Sequence, residues 1–260
     1  MLRIALQYFW YRIITSHRRG FGIHSPFVFQ LVNEVLLKKD DKNLAMIRGW
    51  RKSLSQSHDT IETGHFGSGS KVHSKNHQKL KKIIRYSSIP HKYGRVLYRL
   101  SREFKPNTVL ELGTGTGIST AYLSSANPGI RIKTVDADKE KAKFAESALK
   151  ILAITQPEIS VGSFEGFLLS NLKSISHPML VFVDGDHNYE STMGYFNKIL
   201  EYKEADTIII FDDICWSREM RQAWIDIKDH PETVLCIDLF FMGIVFFRKG
   251  MIKQNFKINF

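Results

Sequence analysis

The stretch TVLELGTGTGIST, residues 108–120, decides how the chain folds. Thr108–Leu112 reads as a strand and residues 118–125 as a helix, with Gly113, Gly115 and Gly117 in the turn between them. Glycines in a strand-to-helix turn let the backbone approach a ligand closely, and the helix start offers free N–H groups to an anion. Asp136 closes the next strand, nineteen positions past Gly117, where an acid is placed to grip the ribose hydroxyls of a nucleotide. Started at Gly113, the dinucleotide fingerprint G-x-G-x-x-G/A needs glycine or alanine where Ile118 stands, so the loop departs from that pattern.

On either side of this stretch the pattern is regular. Upstream, Tyr93, Val96, Leu97, Leu100 and Phe104 mark one buried helix face that ends at Pro106-Asn107. Downstream, strands over 131–135, 158–161, 179–183 and 207–211 are predicted. They alternate with helices over 138–151, 189–202 and 217–228, the first of these capped by Asp136 or Asp138. The apolar run MLVFV at 179–183 is of the kind buried in a parallel sheet. Residues 234–240 and 244–247 flank Met242-Gly243 as a hairpin. Repeated βα units with a terminal antiparallel pair make an α/β, doubly wound parallel sheet.

The first hundred residues differ in character. Of the net charge of +11, residues 1–107 contribute 21 Lys+Arg against 6 Asp+Glu, and residues 108–260 contribute 16 against 20. A basic half suits nucleic acid, an anionic surface or an acidic substrate as well as plain solubility. Leu2, Leu6, Phe9, Trp10 and Ile13 keep helical spacing and call for a partner surface to bury them. A second helix starts with Ser25 as cap and Pro26 at its first position. Residues 53–79 are rich in Ser, Gly, His and Lys, a mobile linker or an active-site loop, with composition favouring the linker. Two cysteines without a CxxC exclude a disulfide scaffold and a zinc ribbon, and suit the cytoplasm. The apolar run at 4–11 lies between Arg3 and Arg12 and is too short to span a bilayer, so stable membrane insertion is not expected.

Glu111 to Gly117 followed by Asp136 resembles the first two motifs of class I S-adenosylmethionine-dependent methyltransferases. Val181-Phe-Val-Asp184-Gly-Asp-His187 and Phe211-Asp212-Asp213 resemble later motifs of the small-molecule O-methyltransferases of the catechol and caffeoyl-CoA type. The resemblance covers roughly residues 92–250. It implies a Rossmann-like, mostly parallel sheet of seven strands with an antiparallel C-terminal hairpin and an N-terminal helical cap. The implied division is a basic cap and polar loop over 1–90, a methyltransferase core over 91–250 and a tail over 251–260. The implied cofactor is S-adenosylmethionine, with Glu111, Gly113, Thr114, Gly115, Gly117, Ser119, Asp136, Ala137, Ser163 and Asp184 around it. A divalent cation such as magnesium would sit on Asp184, Asp212 and Asp213, hard oxygen ligands that suit it. Two residues depart from the family: His187 stands where it has a lysine, and Asp213 where it has an asparagine.

The implied reaction is methyl transfer to a hydroxyl of a small-molecule acceptor, with His187 and Asp184 as catalytic groups. Trp216 is a candidate wall of the acceptor pocket, and His24, His65 and His73 are basic-half histidines within possible reach. RNA methylation is the first alternative, favoured by the basic half, although the Asp-Pro-Pro-Tyr type of motif is replaced by Asp184-Gly-Asp-His187. A non-catalytic binding module is the second, and the complete glycine and acid set argues against it. A homodimer and the identity of the acceptor stay open at this level.

Overall fold

A computed structural model describes residues 2–15, 17–18, 22–64 and 75–259. In chain order the elements are α1 (Leu2–Ile14), β1 (His17–Arg18), α2 (Pro26–Gln30, continued as a π-helical stretch Leu31–Leu36), α3 (Lys42–Gln56), β2 (Thr60–Gly64), β3 (Lys75–Lys79), α4 (Leu80–Tyr86) and α5 (His91–Phe104). Then follow β4 (Thr108–Leu112), α6 (Ile118–Ser124), β5 (Arg131–Asp136), α7 (Lys139–Ile151), β6 (Glu158–Val161), α8 (Phe164–Leu172) and β7 (Met179–Val183). The chain continues with α9 (Tyr189–Leu200), β8 (Ile208–Phe211), α10 (Arg218–Asp229), β9 (Leu235–Asp238), β10 (Gly243–Phe246) and β11 (Gln254–Asn259). The fold is α/β and Rossmann-like, as the βα alternation predicts.

The chain divides into two compact units, one of residues 39–176 and one of residues 1–38 with 177–260. In the first, β4, β5 and β6 pair in parallel, with Leu112 opposite Val135 and Asp136 opposite Val161. Val109, Leu110, Leu112 and Ile132 are fully buried beneath helices that contribute Leu97, Leu100, Ala121, Leu123 and Ala145. Asp41 caps α3 through the Leu44 N–H, and its other carboxylate oxygen accepts from Tyr98 and Arg102 of α5. Arg51 of α3 donates to the carbonyls of Ile84 and Ile89, which ties α3 to α4 and to the turn that leads into α5.

In the second unit β7 and β8 are parallel, β10 lies antiparallel between β8 and β9, β11 runs parallel to β9, and β1 parallel to β11. The seven strands foreseen are all present, with β11 and β1 added at this unit's edge. Residues 251–260, foreseen as a tail, therefore hold a strand. Trp224 of α10 lies so close to Gly243 that a Cβ there would come within 2.7 Å of its ring, so β10 and α10 pack in contact at a position only glycine fits.

Three further differences from the sequence reading have physical reasons. Residues 53–79 are no linker in the part described: α3 runs to Gln56, and β2 pairs antiparallel with β3, Ile61 opposite Gln78. Backbone pairing supplies this ribbon, so its polar composition gives little sign of it. Helix α8 falls in a stretch with no clear periodicity, and Ser163 starts it by accepting from the Gly166 N–H at 3.2 Å. Most tellingly, α1 forms but turns the opposite face inward. Tyr11 donates its hydroxyl to the carbonyls of Asp238 (2.7 Å) and Ile258 (3.0 Å), Tyr8 and Tyr11 meet the Phe240 ring, and Gln7 accepts from Arg221. Tyrosine wins this side because its hydroxyl satisfies strand carbonyls that leucine, isoleucine or phenylalanine would leave bare. Leu6, Phe9, Trp10 and Ile13 are left exposed.

Candidate active site

The glycine turn is held from several sides within residues 39–176. The N–H groups of Gly113 and Thr114 both donate to the Val135 carbonyl at the end of β5, at 2.9 and 3.1 Å. Thr114 and Thr134 share a hydroxyl hydrogen bond of 2.7 Å, and Thr116 shares one of 2.9 Å with Ser88. Gly115 (φ +54°) and Gly117 (φ +79°) both occupy the left-handed region. A Cβ on Gly117 would press on Ala145 of α7 at 3.2 Å, whereas one on Gly115 would meet nothing within 4 Å. The turn is thus packed at Gly117 and open at Gly115, so its backbone can face a ligand there.

Asp136 is the hinge of this arrangement. Its Oδ2 accepts the Gly115 N–H at 2.7 Å and its Oδ1 the Asp138 N–H at 2.8 Å. Burial raises its carboxyl above the usual range, and these two N–H donors oppose the rise. Each oxygen keeps lone-pair capacity beyond its one backbone donor, and two such acceptors side by side suit a vicinal diol. Asp138 in turn caps α7 through the N–H groups of Glu140 and Lys141, and Ala137 sits half-buried between the two acids. Replacing Asp138 with alanine should cost about 1 kcal/mol, read as a fall in thermal midpoint without change of fold.

Glu111 lies beneath the turn with no exposed surface. Thr120 donates to its Oε2 at 2.6 Å, while Oε1 has no hydrogen-bond partner among the described residues. Burial pushes its carboxyl up to about 7, against the pull of the Thr120, Ser119 and Thr134 hydroxyls. Ser119 is buried in the first turn of α6. Ser163 is exposed, and its hydroxyl serves as the cap of α8.

The second group belongs to the unit of residues 1–38 and 177–260. Asp184 follows β7, Asp212 and Asp213 follow β8, and the Asp212 N–H donates to the Val183 carbonyl at 2.9 Å. His187 Nε2 lies 3.6 Å from Asp184 Oδ1. Asp212 and Asp213 keep some exposed surface as residues, yet enough protein surrounds their carboxyl groups for burial to dominate. It raises both, Asp212 to about 8 with Asp213 adding to the rise, while His187 favours the charged form of Asp213. Asp186, His187 and Asp213 all have positive φ, an unusual set of non-glycine residues for one cluster. Tyr195 donates to Asp186, and Asn188 caps α9 through the Ser191 N–H.

A magnesium ion with oxygens at about 2.0–2.1 Å requires ligand atoms within about 4.2 Å of one another. Among the described residues, the His/Cys/Asp/Glu group with ligand atoms mutually within 4.8 Å is His177, Glu204 and Asp206. Asp184, Asp212 and Asp213 form no such group. They do not fit a cation as placed, and no step below passes through one.

Trp216 is exposed, and the buried tryptophan is Trp224, whose indole donates to Asp238 Oδ2 at 3.2 Å. His24 is exposed, and His65 and His73 lie outside the described residues. Sequence reasoning missed Ser88, which no local motif marks because its partner is Thr116. It also missed Asp186, visible as the second acid of Asp184-Gly-Asp186, and Tyr195, its partner in the second turn of α9.

Residues 110–214 match a family model described as a methyltransferase domain. This segment is similar to that domain. A transmembrane O-methyltransferase homolog of Rattus norvegicus is 39% identical over 75 residues, which is 28% of this chain and 29% of the relative. The human transmembrane O-methyltransferase is 40% identical over 75 residues, 28% of this chain and 26% of its own. The chain thus spans under a third of the length of the curated relatives it matches. The chain also shares its fold with solved structures. An O-methyltransferase from Streptomyces achromogenes, involved in tomaymycin synthesis and solved with S-adenosylmethionine (SAM), has a TM-score of 0.58. It is 16% identical, over 85% of this chain and 96% of the other. An O-methyltransferase from Bacillus cereus solved with SAH, the demethylated cofactor, has a TM-score of 0.53 at 19% identity, over 85% and 97%. Among the described residues no helix is long and apolar enough to cross a membrane.

Proposed function

We propose that the chain is an S-adenosylmethionine-dependent methyltransferase acting on a hydroxyl of a small molecule, with residues 91–250 as its catalytic core. The observation that carries this reading is Asp136, pinned by the Gly115 and Asp138 N–H groups beside an open glycine turn within a methyltransferase domain. The relatives named as O-methyltransferases support the choice of oxygen as the acceptor atom.

The bound cofactor supplies an electrophilic methyl carbon on a sulfonium. When the cofactor is bound, Asp136 would accept from the ribose hydroxyls, Gly113 to Gly117 would let the backbone approach, and Ser119 would turn its hydroxyl from Glu111 to the methionine carboxylate. Ala137 and Ser163 flank the nucleoside. His187 would take the proton of an acceptor hydroxyl on its imidazole. Asp184, 3.6 Å from Nε2, steadies the resulting cation. Asp213 lies beside that imidazole, which favours the charged form of its carboxyl.

Calorimetry with S-adenosylhomocysteine, followed by labelled methyl transfer to a panel of phenols and catechols, tests the reading. Micromolar binding and product are expected, and tight NAD binding with none of the adenosyl compound would overturn it. Turnover should survive EDTA, and loss restored by magnesium would show that the acids rearrange around a cation. The excess of basic residues in 1–107 favours RNA as the second acceptor class. Binding to RNA that falls steeply with salt, accompanied by its methylation, would select it. Cys215 and Cys236 are free thiols pushed up to about 11 and about 12 by burial, in keeping with a reducing cytoplasmic setting.

A further inference from the structure

Helix α1 carries its apolar residues on the wrong side for a soluble helix. Leu6, Phe9, Trp10 and Ile13 follow one another at i, i+3, i+4 and i+7, which is a single helix face, and they are 54, 59, 57 and 59% exposed. Phe9 and Trp10 touch edge to face at 6.5 Å, so the two rings form one continuous apolar ridge. The opposite side is committed: Gln7, Tyr8 and Tyr11 fasten the helix to α10, to the Phe240 corner and to the carbonyls of β9 and β11. A helix fastened by its polar-tipped side and open on its apolar side cannot roll to hide that ridge.

The segment that carries it is basic in composition. Residues 1–38 hold five basic residues, Arg3, Arg12, Arg18, Arg19 and Lys38, against the single acid Glu34. Arg12 is exposed on α1, and Lys257 is exposed on β11, the strand that accepts from Tyr11. A second copy of the chain would bring this basic ground against itself. An anionic lipid surface complements it, with apolar and tryptophan side chains entering the headgroup boundary and arginines at the phosphates. At 13 residues α1 is far too short to span.

We propose that α1 is a peripheral anchor that lays the Leu6–Phe9–Trp10–Ile13 face on an anionic lipid surface. The proposal stands apart from the methyl-transfer reading, since none of these side chains belongs to the cofactor or acid groups described above.

The test is cosedimentation of the full chain with vesicles of phosphatidylcholine alone or mixed with phosphatidylglycerol. Binding to the mixed vesicles should exceed binding to phosphatidylcholine by about tenfold or more and should fall as salt is raised. The triple variant Phe9→Ser, Trp10→Ser, Ile13→Ser should lose about tenfold or more of that affinity. It should keep its circular dichroism and its affinity for S-adenosylhomocysteine. Wild-type protein that ignores anionic vesicles, or a folded triple variant that binds them equally well, would overturn the proposal. So would a lipid-free dimer that the triple substitution dissociates in a protein without vesicle affinity, which would make a second copy the cover.

Discussion

Replacing His187 with alanine should lower kcat by about 10²–10⁴-fold, the usual contribution of a positioned proton acceptor. Affinity for S-adenosylhomocysteine should stay within about twofold, because the groups proposed to hold the cofactor are the glycine turn and Asp136 rather than His187. Added imidazole should restore part of the lost rate, a response that a purely structural role would not give. Asp184→Asn should fall between the two proteins, since the carboxylate at 3.6 Å acts through the imidazole rather than on the acceptor. Full turnover in the His187→Ala protein would remove this residue from the chemistry and leave the acceptor's own ionisation to drive the reaction.

The second large effect belongs to Glu111. Its carboxyl is raised to about 7 in the folded chain, from an ordinary value of 4.5. Below the ordinary value both folded and unfolded chains hold the proton and no cost arises. Between the two values the unfolded chain ionises while the folded chain keeps its proton, so stability falls as pH rises. Above about 7 the whole cost is present, about 3 kcal/mol from the size of the shift. Glu111→Gln cannot ionise. Its stability relative to the wild type should therefore improve by about 3 kcal/mol between about pH 4 and about pH 8, as denaturant titrations at the two pH values would show. The same variant should bind the cationic cofactor more weakly, because it no longer offers a negative charge beneath the turn. Parallel pH profiles for the two proteins would mean that water reaches the carboxyl.

What the sequence made legible follows from how local each signal is. The strand–glycine–helix unit at 108–124 and the acid at 136 depend on residues within thirty positions of one another, and both are found where their spacing put them. Ser25, Pro26 and Asp138 are equally local: Ser25 caps α2 with Pro26 at its first position, and of the two acids expected for α7 it is Asp138 that caps it. The hairpin at 235–246 was legible for the same reason. The orientation of α1 was not, because periodicity reveals that an apolar face exists and says nothing of whether tyrosines on the other side have better partners. Ser88 with Thr116, and the ribbon of 60–64 with 75–79, rest on pairings between distant or polar residues that leave no periodic trace. The acids after β7 and β8 were placed correctly on their strands. Whether their oxygens meet depends on side-chain directions after left-handed backbone at Asp186, His187 and Asp213, which no residue count foretells.

The unit that carries Asp184 and His187 is made from both ends of the described chain, with β1 and α1 seated against β11 while residues 39–176 lie between them in sequence. During synthesis this has an order. Residues 39–176 can close on themselves as soon as they leave the ribosome, whereas α1 must wait for more than two hundred further residues before the Ile258 carbonyl exists for Tyr11 to bind. For that interval its apolar ridge and its tyrosine side are both without the finished protein, and the nascent chain presents a basic, aromatic helix to whatever chaperone or surface meets it first.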